Sequence, residues 1–257
     1  MDLKQLEEYI MQSDLGIDTK QAEAFLSHCN FSDEEFNPDE LLHYIREQVY
    51  SFRRLMAYYR CAMMEIETKF NVINEEFSYQ YERNPIQSIK SRLKEPTSIH
   101  EKMVKHGYIF NAESIEENLF DVAGVRVICS FVDDVYRIAD ALLQQDDITL
   151  VRRKDYIANP KENGYRSLHL IVSVPIFLMN EKRSMNVEIQ LRTIAMDFWA
   201  ALEHQLHYKK EYIFTPEMAA ELKKCADVSS ELDQMMNDLC VKIHAEEGCD
   251  TKKKSLF

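Results

Sequence analysis

Turn-forming residues are scarce in this chain, which has 5 Gly and 6 Pro among 257 residues. Average proteins carry roughly 7% Gly and 5% Pro, so turns are few here and the segments between them are long. Hydrophobic residues make up 46% of the chain and charged residues 29%. This ordinary globular composition excludes a disordered or collagen-like chain. The scarcity of turns favours a helix-rich protein.

Signals for membrane insertion and secretion are also missing. No stretch approaches the roughly 18 consecutive apolar residues that a membrane helix needs. The chain opens without a basic segment leading into an apolar run, so no secretory signal is indicated. The 6 cysteines include no CxxC pair, which is typical of reduced thiols. These features predict a soluble, cytoplasmic protein with no membrane partner.

Several common catalytic motifs are absent. The sequence has no P-loop, no GxGxxG and no GxSxG. His204 and His207 match neither HExxH nor HxxEH, so a helix surface explains these histidines better than a zinc site does. The cysteines and histidines show no order that supports a nucleophilic triad.

Positive charge is in the minority. Lys and Arg number 31 against 44 Asp and Glu, a net charge of −13, which argues against a protein that coats nucleic acid. Residues 1–50 hold 12 acidic and 3 basic residues, so the acidic excess belongs to an N-terminal extension. Residues 83–105 (6 basic, 2 acidic) and 152–166 (5 basic, 2 acidic) are locally basic. They suit a triphosphate, although a solvated cationic face is the commoner explanation of such clusters.

Apolar periodicity predicts helices at both ends of the chain. Residues 1–37 form two short helical patterns, and a long one with 3–4 spacing runs from Pro38 to Phe70. Ser98 and Glu101 form a capping-box pattern that opens a short helix after Pro96.

The middle of the chain alternates strand and helix patterns. Strands are predicted at residues 125–131, 147–152, 165–174 and 186–192. Helices are predicted at residues 133–145, from Thr193 to about residue 210, and from Pro216 to about residue 244. We expect an acidic helical extension over 1–37, one domain with a leading long helix over 38–210, and a C-terminal helix with a basic tail over 211–257.

Two carboxylates and an aromatic–histidine pair are the candidates for chemistry. Asp121 precedes a predicted strand, and Glu188 lies on the polar face of another. Carboxylates that strands bring together can hold Mg²⁺, although surface positions are commoner for Asp and Glu. Tyr165 and His169 lie four apart on a predicted strand, where they share a face and could stack a base and touch a phosphate, unless they are core or edge residues.

Three ordered motifs resemble one known family. They are FDVAGVRV at residues 120–127, KDYIANPKENGYRSLH at 154–169 and VEIQLRT at 187–193, the last followed by Phe198-Trp199 and Glu203-His204. Together they resemble the synthetase domain of the RelA/SpoT alarmone enzymes, over about residues 85–210. The sequence has no His-Asp dipeptide such as the family's hydrolase domain uses, so it is similar to the stand-alone small alarmone synthetases.

The resemblance implies an α+β, nucleotidyltransferase-like fold with a mixed β-sheet flanked by helices. It also implies an enzyme, a GTP/GDP pyrophosphokinase that transfers the β,γ-pyrophosphate of ATP to the 3′-hydroxyl of GDP or GTP. GMP is a further candidate acceptor, and Mg²⁺ is the expected cofactor. The products are AMP and (p)ppGpp.

The resemblance also assigns site residues. Asp121 and Glu188 are the expected Mg²⁺ ligands, and Glu188 is a candidate base for the 3′-hydroxyl. The expected ATP-binding residues are Arg92, Lys94, Ser98, Lys102 and Arg126, with Arg92 and Arg126 flanking the adenine. The expected acceptor-binding residues are Lys154, Lys161, Tyr165, His169, Gln190, Asp197 and Glu203. Tyr165 is expected to stack on guanine, Lys154, Lys161 and His169 to contact phosphates, and Asp197 and Glu203 to read the base.

Assembly and regulation follow less directly. The small synthetases are typically homotetramers joined through terminal helices, and some relatives bind single-stranded RNA. Some small synthetases bind (p)ppGpp allosterically through lysines on an early helix. Those lysines have no clear counterpart around Glu67 and Asn71 in this sequence. The alternative to an enzyme is a non-catalytic module that binds nucleotide or single-stranded RNA on the same fold.

Overall fold

The computed structural model describes residues 38–81, 83–208 and 215–250. The helices predicted within 1–37 and the basic tail lie outside these residues. Six helices are described: α1 Pro38–Tyr81, α2 Pro96–His106, α3 Ala112–Asn118, α4 Val132–Leu143, α5 Ile194–Tyr208 and α6 Pro216–Asp250. Five strands are described: β1 Ile86–Leu93, β2 Ala123–Cys129, β3 Thr149–Asp155, β4 Leu168–Phe177 and β5 Lys182–Thr193. Within the described ranges, no helix is both long and apolar enough to span a bilayer.

The strands form one sheet in the order β1-β2-β5-β4-β3. Strands β3 and β4 are antiparallel, and their register places Lys154 opposite His169. Strands β4 and β5 are consecutive neighbours joined through residues 178–181, where the Leu178 N–H donates to the Glu181 carbonyl at 2.8 Å. The α+β class with a mixed sheet flanked by helices is confirmed.

The structure contains two elements that were not predicted, and it corrects one local prediction. Strand β1 and helix α3 were not predicted, because β1 shows no clear apolar alternation and α3, with 7 residues, is too short to show a helical period. The capping box was wrong. Helix α2 already begins at Pro96, its N-cap Glu95 makes no side-chain cap, and Ser98 lies inside the first turn. Proline is preorganised for the first helical position, so it determined where this helix starts.

The chain divides into two compact units, each built from three segments. Of the described residues, the first unit comprises 38–64, Arg92–Gly124 and Pro175–Val187. The second comprises 65–81 with 83–91, Val125–Val174, and 188–208 with 215–250. The domain limits expected from the sequence, 1–37, 38–210 and 211–257, stay predictions.

The core of the first unit forms where the apolar stripe of α1 meets α2, α3 and the segment after them. Phe52 of α1 packs against Phe110 with ring centroids 5.8 Å apart. Other buried side chains of this core are Ile45, Val49, Met56, Tyr59, Ile99, Met103, Ile115 and Leu119. Arg183 on β5 pairs with Glu116 of α3, and its guanidinium lies 5.1 Å from the ring centroid of Tyr58 on α1. These contacts connect β5 to α1 and α3.

In the second unit, a buried ion pair joins the segment after α1 to α4. The guanidinium of Arg83 donates to both oxygens of Asp134 at 2.6 and 2.8 Å, and Asp134 is completely buried. Phe77 and Phe131 lie within 5.3 and 5.6 Å of the same guanidinium. This bidentate geometry satisfies a carboxylate that would be costly to bury alone.

Candidate functional site

Asp121 lies between two lysine ammonium groups in the first unit. Lys94 Nζ is 2.7 Å from Oδ2, and Lys102 Nζ is 2.8 Å from Oδ1. Burial alone would raise the pKa of Asp121, but hydrogen bonds from Lys102 and Lys94 outweigh burial and hold the pKa below its ordinary value. The carboxylate is therefore ionised at neutral pH.

Local structure explains why these three side chains meet. The Lys94 N–H donates to the Val122 carbonyl at 2.8 Å, which fixes the segment after β1 beside the residue that follows Asp121. Lys102 comes from α2, where Ser98 lies one turn earlier and is half-buried. Arg92 is exposed on β1. The structure thus brings Lys94, Lys102 and Asp121 together, while the ATP-binding roles of Arg92 and Ser98 stay predictions.

In the second unit, a chain of polar contacts leads from Tyr165 to Gln190. The Tyr165 hydroxyl is 2.8 Å from His169 Nε2, and His169 Nδ1 is 3.4 Å from Glu188 Oε1. The Gln190 side-chain amide donates to Glu188 Oε2 at 3.0 Å. The sequence prediction that Tyr165 and His169 share one strand was wrong, because β4 begins only at Leu168. Tyr165 lies in the preceding loop and still reaches the histidine.

Arg192 connects this series of polar contacts to helix α5. It is 4% exposed and donates to the Tyr165 hydroxyl at 2.6 Å, to Gln190 Oε1 at 3.0 Å and to Asp197 Oδ1 at 3.2 Å. An arginine can only donate, so the Tyr165 hydroxyl oxygen accepts from it.

Two positively charged groups lie close to the Tyr165 ring. Arg192 is 5.1 Å from the ring centroid and Lys161 Nζ is 4.9 Å from it, and Lys161 is also 4.8 Å from the Tyr156 ring. Lys161 is exposed, whereas Arg192 is buried. A planar base stacking on the ring would therefore replace Lys161 rather than Arg192. Lys154 is exposed on β3 beside His169.

Asp197 and Glu203, the expected guanine readers, both lie on α5. Asp197 Oδ1 accepts from Arg192 and, at 3.4 Å, from Arg126 Nη1. Glu203 Oε1 accepts from the Asn163 side chain at 3.4 Å, so it contacts the loop that carries Tyr165. Thr193 caps α5 as predicted, because its hydroxyl accepts from the Met196 N–H at 3.2 Å.

Some predicted partners belong to different units. Asp121 and Arg92 lie in the first unit, and Glu188 and Arg126 lie in the second. A shared Mg²⁺ ion and the arginine pair around adenine therefore stay predictions. Among the described residues, no three His, Cys, Asp or Glu side chains cluster to hold a metal.

Arg192 is the residue that sequence reasoning missed as part of the site. Its signal was present, because it follows Glu188 and Gln190 on the polar face of an alternating strand. A buried arginine on such a face has to be paired. Which side chains pair with it, however, could not be read from the alternation.

Comparison with known proteins places these motifs in a family. Residues 91–212 match the family model described as a region found in RelA/SpoT proteins. The chain is 43% identical to GTP pyrophosphokinase YwaC of Bacillus subtilis (strain 168), over 69% of this chain and 85% of that protein.

Solved structures agree with this match. The small alarmone synthetase 2 of Bacillus subtilis is 40% identical with a TM-score of 0.68, covering 74% of this chain and 98% of that one. The small alarmone synthetase 1 of Bacillus subtilis, bound to its product pppGpp, is 34% identical with a TM-score of 0.68, covering 75% and 97%. With this identity over most of a curated relative, and with all three motifs in place, the chain belongs to the RelA/SpoT family.

Proposed function

We propose that this chain is a (p)ppGpp synthetase, which transfers the β,γ-pyrophosphate of ATP to the 3′-hydroxyl of GDP or GTP. The observation that carries the proposal is the connected array of Tyr165, His169, Glu188 and Gln190, because it places an aromatic ring, a histidine and a carboxylate in one network. The relatives named GTP pyrophosphokinase and small alarmone synthetase support the same reaction.

The acceptor half of the reaction needs a base beside the 3′-hydroxyl. We assign this role to Glu188, whose two oxygens face His169 and Gln190. As the hydroxyl oxygen bonds to the β-phosphorus of ATP, its proton passes to Glu188 and the bond to the α-phosphate bridging oxygen breaks, which releases AMP. Positioning and charge stabilisation provide most of the catalysis in such transfers.

The donor half needs positive charge for the ATP phosphates. Lys94 and Lys102 provide it, since their ammonium groups lie within 2.8 Å of Asp121 oxygens and are held in one place by that carboxylate. Ammonium groups form charge-assisted hydrogen bonds to phosphate oxygens, and here they belong to the basic segment 83–105. We propose that Arg92, Ser98 and Arg126 complete ATP binding.

Magnesium is the cofactor we propose. Carboxylate oxygens are the ligands it prefers, and the family resemblance assigns to it two carboxylates, that of Asp121, which is ionised, and that of Glu188. Two protein ligands suffice, because Mg²⁺ usually retains waters and binds substrate phosphates. When bound, it would neutralise charge on the transferred group. Excess chelator should therefore abolish turnover, and added Mg²⁺ should restore it.

A product assay tests the function. The protein is incubated with labelled ATP and with GMP, GDP or GTP, and the nucleotides are separated by chromatography. We expect a new guanine nucleotide bearing a 3′-pyrophosphate, with AMP formed in equal amount. Binding of nucleotide without such a product would favour the non-catalytic module instead.

We also propose that the chain forms a homo-oligomer, a tetramer by family resemblance. Helices α5 and α6 expose apolar side chains on one face, including Phe198 (62% exposed), Val228 (58%) and Leu232 (57%). An exposed patch of this kind is typical of a protein interface. Light scattering should report a multiple of 30.3 kDa, and Leu232→Glu should reduce it.

Single-stranded RNA is a further proposed partner. The exposed residues Arg152 and Lys154, which lie on the same side of edge strand β3, support this proposal. Phosphate contacts would make the binding weaken steeply as salt rises. Binding that is insensitive to salt, or absent at low salt, would contradict this proposal.

A further inference from the structure

The buried face of α6 carries several polar side chains. Its buried residues follow one helical stripe and are Ala226, Asp233 and Asn237, with Ser230 half-buried between them. Ala226 and Ser230 contact the loop that carries Tyr165, Asp233 contacts the end of β5, and Asn237 contacts the start of α4. A helix that only covered a core would present apolar side chains here, so the contacts made by this stripe require an explanation.

The stripe contacts the elements around the acceptor network. Asp233 Oδ2 accepts from the Thr193 hydroxyl at 2.6 Å, at the residue that follows Arg192. Asn237 Oδ1 accepts from the Asp133 N–H at 3.3 Å, in the first turn of α4. These contacts fix α6 at the end of β5 and the start of α4.

Two contacts hold the loop that carries Tyr165. Gly164 has φ 90° and lies so close to α6 that a Cβ there would overlap the Cβ of Ala226. The Arg166 guanidinium donates to the Ser230 hydroxyl, and at 3.2 Å to the Ile157 carbonyl at the start of the same loop. Arg166 therefore connects the beginning of the loop, its end and α6.

The contacts on either side of Tyr165 set its position. The tyrosine lies between Gly164 and Arg166 in sequence, and it packs partly against the buried cluster of Trp199, Ala200 and Ala226. Its ring meets His169 and Arg192. A loop that moved away from α6 would carry the ring away from those partners.

We propose that Arg166 is a positioning residue, which acts through Ser230 of α6 to hold Tyr165 where it receives the acceptor nucleotide. This inference rests on the proposed function, because it requires that Tyr165 binds a guanine nucleotide. It adds that α6 controls affinity for the acceptor without touching either substrate.

The test uses the full chain and two observables. GDP binding is measured by titration calorimetry, and steady-state kinetics give separate KM values for GDP and ATP. The variants are Arg166→Met, Ser230→Ala and the double variant. The matched control is Glu231→Ala, which changes an exposed neighbour of Ser230 on the same helix.

We expect Arg166→Met to weaken GDP binding about tenfold and Ser230→Ala about threefold, with the ATP KM within about twofold of wild type. The double variant should match Arg166→Met, because each single change already removes the same Arg166–Ser230 hydrogen bond. The control should behave as wild type.

Three results would overturn the inference. They are unchanged GDP affinity in both single variants, an equal rise of both KM values, and additive effects in the double variant. If Arg166→Met does not fold, Ser230→Ala decides between the outcomes. Failure of the proposed function is distinct, because the wild type itself would then form no product, whether or not it binds GDP.

Discussion

Replacing Arg192 by methionine tests the acceptor network most directly. Methionine keeps most of the side-chain length and removes the guanidinium. Four hydrogen bonds are lost, to Tyr165 at 2.6 Å, Gln190 at 3.0 Å, Asp197 at 3.2 Å and Ser167 at 3.4 Å. The Arg192 side chain is 5% exposed, so solvent cannot easily replace these donors.

The structure sets the expected magnitude. Removing one partner of a buried ion pair costs about 3–5 kcal/mol, because the other charge stays behind unpaired. Asp197 keeps a contact with Arg126 and is 18% exposed, which places the expected loss at the lower end of that range. Folded domains are stable by about 5–15 kcal/mol, so the variant should fold but unfold more easily.

Function should fall in a specific way. Without Arg192, Tyr165 loses the guanidinium that contacts its ring and its hydroxyl, and the ring is no longer held in position for the acceptor. The KM for GDP should therefore rise at least about tenfold, while the KM for ATP changes little. Denaturant unfolding measures the stability, and initial rates at saturating ATP measure the KM. Arg126→Met is the comparison for stability, since the bond from Arg126 to the same carboxylate is 3.4 Å long and the Arg126 side chain is 40% exposed, so losing that bond should cost about 1 kcal/mol or less.

One outcome would refute this reasoning. If Arg192→Met unfolded within about 1 kcal/mol of wild type and kept its KM for GDP, the network would support neither the fold nor the acceptor.

Three further predictions follow from the same geometry. Glu188→Gln should retain the fold and lose about a hundredfold or more in kcat, since an amide cannot accept the hydroxyl proton; near wild-type turnover would remove Glu188 as the base. Tyr165→Ala should raise the GDP KM far more than the ATP KM, as measured by initial rates, and equal rises would contradict stacking. The pKa of Asp121 is lowered, so its charge stabilises the fold above its unfolded pKa of about 4 and loses that effect as pH falls through the folded value. The stability difference between wild type and Asp121→Asn in denaturant titrations should therefore shrink below about pH 4, and a constant difference would show that the lysine pairs do not stabilise the folded protein.

Much of the fold could be predicted from residue pattern alone. Apolar spacing gave the long α1 and the presence of α4, α5 and α6, because burial of one face repeats every 3–4 residues. Alternation located β5, since each strand residue points to the side opposite its neighbour. Pattern failed at β1, whose residues do not alternate clearly, and at α3, whose 7 residues span only two helical turns.

The chain by itself determined the fold class, the three motifs and the types of residue available for phosphate and base binding, because these depend on local order along the backbone. Only the tertiary structure decided which charges pair. It placed Lys94 and Lys102 on Asp121, buried Arg192 beside Tyr165, and set Arg166 against Ser230. Such pairings join positions 19 to 64 residues apart, and no periodicity encodes contacts over that separation.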